Sequence, residues 1–315
     1  MIGFVNCYKP KGVTSFSVVS KIKRIYQTKK VGHLGTLDPM AEGVLPIAVG
    51  KATKLFDYFL TKDKWYNAEF SAGYLTNTQD ADGEIIAKDD RVPKIEEVKK
   101  TLPNFIGKIE QIPPKFSAKK INGERAYNLA RQGKEFDLVP NKVEIYTILA
   151  SYGSVDSLFK FKIHCSAGTY IRTLGVDIFN KIGYQATMTK LVREASGPFK
   201  INEALTLEEI EMDPAQALNS IDKYLPDFIN IEVDNLLTQK LLNGQAVEFC
   251  DVKKGGKYLV KNNNAILGLA EPIENNILKL KINLYTKEEV NDWFWTSRYE
   301  QWCMYAKIDT WRISR

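Results

Sequence analysis

The sequence predicts an α+β protein: a large domain built on a mixed β-sheet, followed by a small, mostly β domain. Three observations lead there. Segments of period two and segments of helical period are mixed irregularly, without the repeating strand–helix–strand order of a doubly wound sheet. Beyond about residue 228, a helical stretch (VDNLLTQKLLNG) precedes three short β-like runs, KYLVK, AILGLA and LKLKINLY. A chain of 315 residues, 44% hydrophobic and 26% charged, can bury one sizeable core and a smaller one.

The elements follow in order. FVNCYKP (4–10) is a short strand ending at Pro10, and a Lys11–Gly12 turn comes next. Thr14 or Ser15 can cap a helix whose apolar positions Val18, Ile22, Ile25 and Tyr26 recur at helical spacing. Residues 31–43 show no sustained period and read as a loop, whereas VLPIAV (44–49) reads as a buried strand. ATKLFDYFL (52–60) places Leu55, Phe56, Phe59 and Leu60 on one helical face. KWYNAEFSAG (64–73) alternates, with Tyr66, Ala68, Phe70 and Ala72 on one side. Asp82–Gly83 is a hairpin-type turn, and PKIEEVKKTL is a short amphipathic helix with Pro93 suited to its first turn. After Pro113–Pro114 the chain turns at Asn122–Gly123 and becomes helical. LFKFKIHCS (158–166) sets Phe159, Phe161, Ile163 and Cys165 against Lys160, Lys162 and His164. Ile171, Leu174, Ile178 and Ile182 mark the buried stripe of the next helix, and LTLEEIEMDP (205–214) is an acidic surface helix. The last stretch, 286–315, holds four of the five tryptophans, and these aromatics are expected to pack against the small domain.

Composition excludes several chemistries. Only His33 and His164 are present, and neither neighbours a second ligand at metal spacing, so a zinc site is not expected. No G-x-S-x-G elbow accompanies them. Cys7, Cys165, Cys250 and Cys303 stand far apart, which fits reduced thiols in a cytoplasmic protein. No apolar run approaches the roughly 18 residues of a membrane span, and the N-terminus does not read as a signal peptide. The net charge of +6 is unevenly spread: residues 1–64 carry 11 basic and 4 acidic side chains, residues 201–251 carry 2 and 11. That asymmetry suggests a positive face for a polyanion; solvated surface accounts for it equally well.

GVLPIAVGKATK superficially resembles a phosphate-binding loop. Six residues separate Gly43 from Gly50 and Ala52 follows Lys51, so the spacing fails and no nucleotide cofactor is expected. In GHLGTLDPMAEG, Asp38 precedes Pro39, which disfavours helix and pushes Asp38 toward an extended backbone. On local chemistry alone this is an Asx turn more readily than a catalytic carboxylate.

The complete string VGHLGTLDPMAEGVLPIAVGKATK (31–54) resembles the signature of the bacterial tRNA pseudouridine-55 synthases of the TruB type, relatives of dyskerin. The resemblance continues, in family order, through KPKGVTS (9–15), KWYNAEFSAG with TNTQDADG (64–83), QIPPKFSAKKINGERAYNLARQG (111–133), CSAGTYIRTLGVDI (165–178) and LVREASGPF (191–199). It implies a pseudouridine synthase fold over residues 1–227. LLNGQAVEF carries a weaker resemblance to a PUA-like RNA-binding domain over 228–286, leaving 287–315 as a tryptophan-rich tail.

The resemblance also implies roles. Asp38 matches the catalytic aspartate that starts detachment of the base from C1′ and its reattachment through C5; a carboxylate suits either nucleophilic attack or electrostatic and base assistance. Arg172 matches the arginine that pairs with it, and a guanidinium can hold both carboxylate oxygens. Tyr66 matches the active-site tyrosine, able to stack on uracil and relay a proton. Tyr170 supplies a pocket wall, Lys9 lies near the site, and Leu191 offers an apolar contact to the base. His33 matches the residue that fills the space vacated by the everted nucleoside. Arg193 lies in a block that usually shows paired arginines; Glu194 follows it here, which weakens an RNA-contact role for the pair. Lys115, Lys119, Lys120, Arg125, Arg131 and Lys134 form a basic stretch that helps embrace RNA in relatives. The implied activity is isomerisation of uridine 55 in the tRNA T-loop by a cytoplasmic monomer, with the T-arm as partner and without metal, nucleotide or redox cofactor. Rival readings are a tRNA-folding chaperone using the same cleft, alone or as an accessory role, and a synthase acting on another structured RNA.

Overall fold

A computed structural model describes residues 1–290 apart from 118, 122, 264 and 287; the tryptophan-rich stretch, and with it the expected packing of its aromatics, lies outside the described residues. The chain divides into two compact units: Met1, Gly3–Val49 and Phe56–Leu218 form the first, and Ile2, Gly50–Leu55 and the chain from Asn219 onward form the second.

The first unit runs β1 (Gly3–Lys9), α1 (Ser15–Ile25), β2 (Val31–His33), β3 (Glu42–Val49), α2 (Phe56–Leu60), β4 (Lys64–Ala72), β5 (Tyr74–Thr76), β6 (Ile85–Lys88), α3 (Ile95–Thr101) and β7 (Gly107–Gln111). It continues with β8 (Lys120–Ile121), β9 (Glu124–Arg125), α4 (Ala126–Arg131), β10 (Asn141–Tyr152), β11 (Leu158–Cys165), α5 (Ile171–Lys181), β12 (Ala186–Ser196), β13 (Phe199–Lys200), α6 (Leu207–Met212) and α7 (Pro214–Ala217). The main sheet has the order β1-β3-β12-β4-β11-β10-β7, antiparallel except where β3 and β12 run parallel at Val192–Glu42 and Arg193–Gly43. The alternation in β4 and β11 is the cause of the layer: Tyr66, Ala68, Phe70, Phe159, Phe161 and Ile163 all face one core. Helix α5 packs on β12 and β4, and α3 on β10 and α5. Gly175 makes this possible, because a methyl group added there would overlap the Phe70 ring.

Three local expectations are corrected. Residues 31–33, expected in a loop, form strand β2 on the end of β3, with His33 opposite Ile47; three residues are too few to display a period. ATKLFDYFL is not one helix: a 3₁₀ segment over Gly50–Leu55 precedes α2, and only Leu55 and Phe59 of the expected face are buried. Asp82–Gly83 does lie in the turn of a hairpin: β5 and β6 are joined by residues 77–84, organised around Asp80, with Gly83 N donating to Asp80 O at 3.3 Å. Pro93 precedes the cap of α3, Lys94, by one residue and is not in the first turn. Thr14 caps α1, accepting a hydrogen bond from Ser17 N at 3.0 Å.

The second unit contains β14 (Ile229–Glu232), α8 (Asn235–Leu242), β15 (Val247–Glu248), β16 (Tyr258–Asn262), β17 (Ala265–Glu274) and β18 (Ile277–Asn283). Its sheet has the order β14-β16-β17-β18-β15 over a core that includes Ile231, Leu241, Val260, Leu267 and Leu278. Among the described residues no helix is long and apolar enough to cross a membrane.

Candidate active site

Asp38 lies on the segment between β2 and β3, and the backbone around it is held residue by residue. Ala41 N donates to Asp38 O at 3.1 Å, closing a tight turn with Pro39 in its second position. Ser15, the first residue of α1, donates its hydroxyl to Leu37 O and accepts from Leu37 N, both at 2.9 Å. Gly12 N donates to Pro39 O at 2.8 Å, and Lys9 Nζ donates to the same oxygen at 3.3 Å. Lys9 is fully buried and also donates to Pro10 O and Val13 O; desolvation pulls its ammonium down to about 8 against the opposing pull of the Asp38 charge. With the backbone so engaged, the Asp38 side chain remains 38% exposed.

Arg172 reaches this carboxylate from the first turn of α5. It is buried, with Nη2 2.8 Å from Asp38 Oδ2 and Nη1 3.2 Å from Asp80 Oδ2. The guanidinium also donates to Thr78 O at 2.8 Å and Phe116 O at 3.0 Å. The sequence reading gave Arg172 a single carboxylate partner; the structure gives it two. Asp80 is the residue that reading missed. It is buried, accepts from Thr78 Oγ1 at 2.6 Å and Asp82 N at 3.2 Å, and its pKa is pushed up by desolvation, with the Thr78 hydrogen bond and the Arg172 charge pulling back. TNTQDADG and the following Glu84 carry three carboxylates within five positions, and no spacing rule singles out Asp80 among them.

A cavity of about 990 Å³ opens over these groups, lined among others by His33, Asp38, Asp80, Phe116, Tyr127 and Arg172. Of the site residues expected from sequence, it thus brings together His33, Asp38 and Arg172. Tyr66, Tyr170, Lys9 and Leu191 do not line it. Tyr66 is buried on β4; desolvation raises its phenol pKa, the adjacent Arg193 lowers it, and the Asp38 charge raises it, so all three groups share one electrostatic neighbourhood. Tyr170 precedes α5, exchanging two backbone hydrogen bonds with the Gln111 side chain. Leu191 is buried on β12 opposite Ala68. In the basic stretch, Lys119 is engaged by Val139 O and Asn141 Oδ1, both at 2.7 Å, whereas Arg131 lines the cavity. The arrangement presents one half-exposed carboxylate, fixed by a buried cation, to whatever enters a cavity of about 990 Å³.

Comparison with known proteins identifies the family and the fold. The profile of the family described as TruB family pseudouridylate synthase (N terminal domain) matches residues 23–171. The chain is 43% identical over 250 residues to tRNA pseudouridine synthase B of Clostridium tetani, covering 79% of this chain and 86% of that protein. It is 40% identical over 291 residues to the protein of the same name from Shouchella clausii, covering 88% and 96%. Among solved structures, the fold is similar to a Cbf5–Nop10–Gar1 complex at a TM-score of 0.66 and 24% identity, covering 91% of this chain and 86% of the other. An H/ACA RNP bound to a substrate RNA containing 2′-deoxyuridine is similar at a TM-score of 0.65 and 22% identity, covering 90% and 86%. The expected fold is therefore present: mixed sheet, helices, and a β-rich C-terminal unit consistent with a PUA-like domain.

Proposed function

The chain belongs to the TruB family of pseudouridylate synthases, and on that premise we propose that it isomerises uridine 55 in the T-loop of tRNA, with Asp38 as the essential carboxylate. It is an isomerase that forms pseudouridine, and tRNA is its substrate class. The reading of Asp38 rests on one observation: a half-exposed carboxylate, 2.8 Å from a buried guanidinium, at the wall of a cavity of about 990 Å³.

The reaction breaks the N1–C1′ bond, turns the uracil, joins C5 to C1′, moves the C5 proton to solvent and leaves a proton on N1. The target base is stacked inside the T-loop, so it is everted before chemistry, and His33 at the cavity wall is placed to fill the gap. Asp38 serves C1′, either as the attacking carboxylate or as the charge that stabilises it. Arg172 holds Asp38 against rotation while the base turns. Tyr66, buried on β4 opposite Arg193, does not line the cavity; the Asp38 charge raises its phenol pKa, and we assign it a supporting role behind the site. We assign residues 1–227 to catalysis and 228–286 to a PUA-like domain that adds RNA contacts.

The test is Asp38→Asn with 5-tritiated uridine in tRNA. Tritium release should fall to background while tRNA affinity stays within about threefold of the unmodified protein. Normal release by the variant would remove Asp38 from the chemistry, and pseudouridine mapped elsewhere than position 55 would redirect the substrate. An accessory tRNA-folding role through the same cleft would persist in this variant.

A further inference from the structure

Arg193 is the largest fully buried side chain among the described residues, at 1% exposure, and its guanidinium ends on backbone oxygens. Nε donates to Val44 O at 2.7 Å, Nη2 to Gly35 O at 3.0 Å and Nη1 to Thr36 O at 3.2 Å. Gly35 and Thr36 stand three and two residues before Asp38, so one planar fork grips the loop on the side where Ser15 and Lys9 do not reach. The Arg193 backbone constrains the other end of the same segment. It pairs with Gly43 at the parallel junction of β3 and β12, and a methyl group at Gly43 would overlap the Arg193 carbonyl oxygen. Gly43 adopts φ +105, a conformation costly for other residues. On the neighbouring strand Arg193 is opposite Tyr66. One residue thus joins the Asp38 loop, the parallel junction and Tyr66 on β4.

We propose that Arg193 is a positioning residue for uridine isomerisation: its guanidinium fixes the Gly35–Thr36 backbone, and through it the Asp38 carboxylate, without touching RNA. The proposal rests on the reading of Asp38 given above. Burial rules out a phosphate contact in this structure, and the fork geometry explains why arginine is used. A lysine supplies the same charge but cannot span three carbonyls held in fixed directions. Displacement of a catalytic group by about 1 Å costs on the order of a hundredfold in rate, so loosening this fork acts on turnover more than on binding.

The experiment uses the full chain and transcribed tRNA carrying 5-tritiated uridine, comparing Arg193→Lys, Arg193→Gln and Val98→Ala with the unmodified protein. Val98 is on the buried face of α3, away from the cavity, and supplies a control for destabilisation alone. Both Arg193 variants should lose about 10- to 100-fold in kcat with KM and tRNA affinity within about threefold. Val98→Ala, at a comparable fall in melting temperature, should keep kcat within about twofold. Because Arg193→Lys retains charge and most of the volume, it keeps the test usable if Arg193→Gln does not fold. Three results overturn the proposal: kcat preserved in Arg193→Lys, a loss confined to KM and affinity, or an equal loss of kcat in Val98→Ala. Absence of tritium release by the unmodified protein would instead overturn the isomerase reading beneath it.

Discussion

Lys9 and Lys64 are two buried ammonium groups in the first unit, each satisfied by backbone oxygens: Lys9 by Pro10, Val13 and Pro39, Lys64 by Leu60 and Lys62. Desolvation pulls each from 10.5 to about 8, and the Arg193 charge adds to the shift at both. Between pH 8 and 10.5 the folded protein has shed protons that the unfolded chain retains, so each lysine makes stability rise with pH across that window. Lys64→Met should therefore show a smaller gain in melting temperature from pH 8 to 10 than the unmodified protein; parallel melting curves would mean the ammonium is not desolvated. Asp80→Asn leaves Arg172 with one charged partner in place of two, and turnover should fall about tenfold or more with tRNA affinity retained, as read by single-turnover tritium release. Asp38 and Arg172 were legible because each sits in a distinctive string of residues. Asp80 was not, because what distinguishes it from Asp82 is burial beside a guanidinium more than ninety positions away.

Two glycines, Gly43 against the Arg193 backbone and Gly175 against the Phe70 ring, set the spacing of the elements that carry the site. Gly175→Ala would drive a methyl group into the Phe70 ring where α5 crosses β4, and should cost about 1–3 kcal/mol, seen as a lower denaturant midpoint with an unchanged slope. In the second unit, Asp234 caps α8 by accepting from Leu237 N at 2.8 Å, and Asp234→Ala should cost about 1 kcal/mol by the same measurement. Strands β4 and β11 and helices α1 and α5 were legible from their periods, since each has one buried face and is long enough to repeat it. β2 was not, because its partner β3 defines it and three residues carry no pattern of their own. The 52–60 segment failed for another reason: Leu55 and Phe59 satisfy a helical stripe equally well across a 3₁₀-to-α junction.

At the scale of the molecule, the uneven charge bears on how a polyanion is held. Binding of tRNA should weaken steeply with salt, and Arg131→Ala at the cavity wall should reduce the slope of log affinity against log salt by about one unit, with kcat nearly unchanged. A slope unaffected by the substitution would place Arg131 off the phosphate path. The sequence by itself determined the α+β class and the family, and pointed to Asp38 and Arg172 as a pair, because short strings of residues carry that information locally. The tertiary structure alone decided that Arg172 serves two carboxylates, that Asp80 is one of them, and that Arg193 holds the backbone just before Asp38. Those facts are distances between residues remote in the chain, and they exist only once the strands of the sheet have been brought into register.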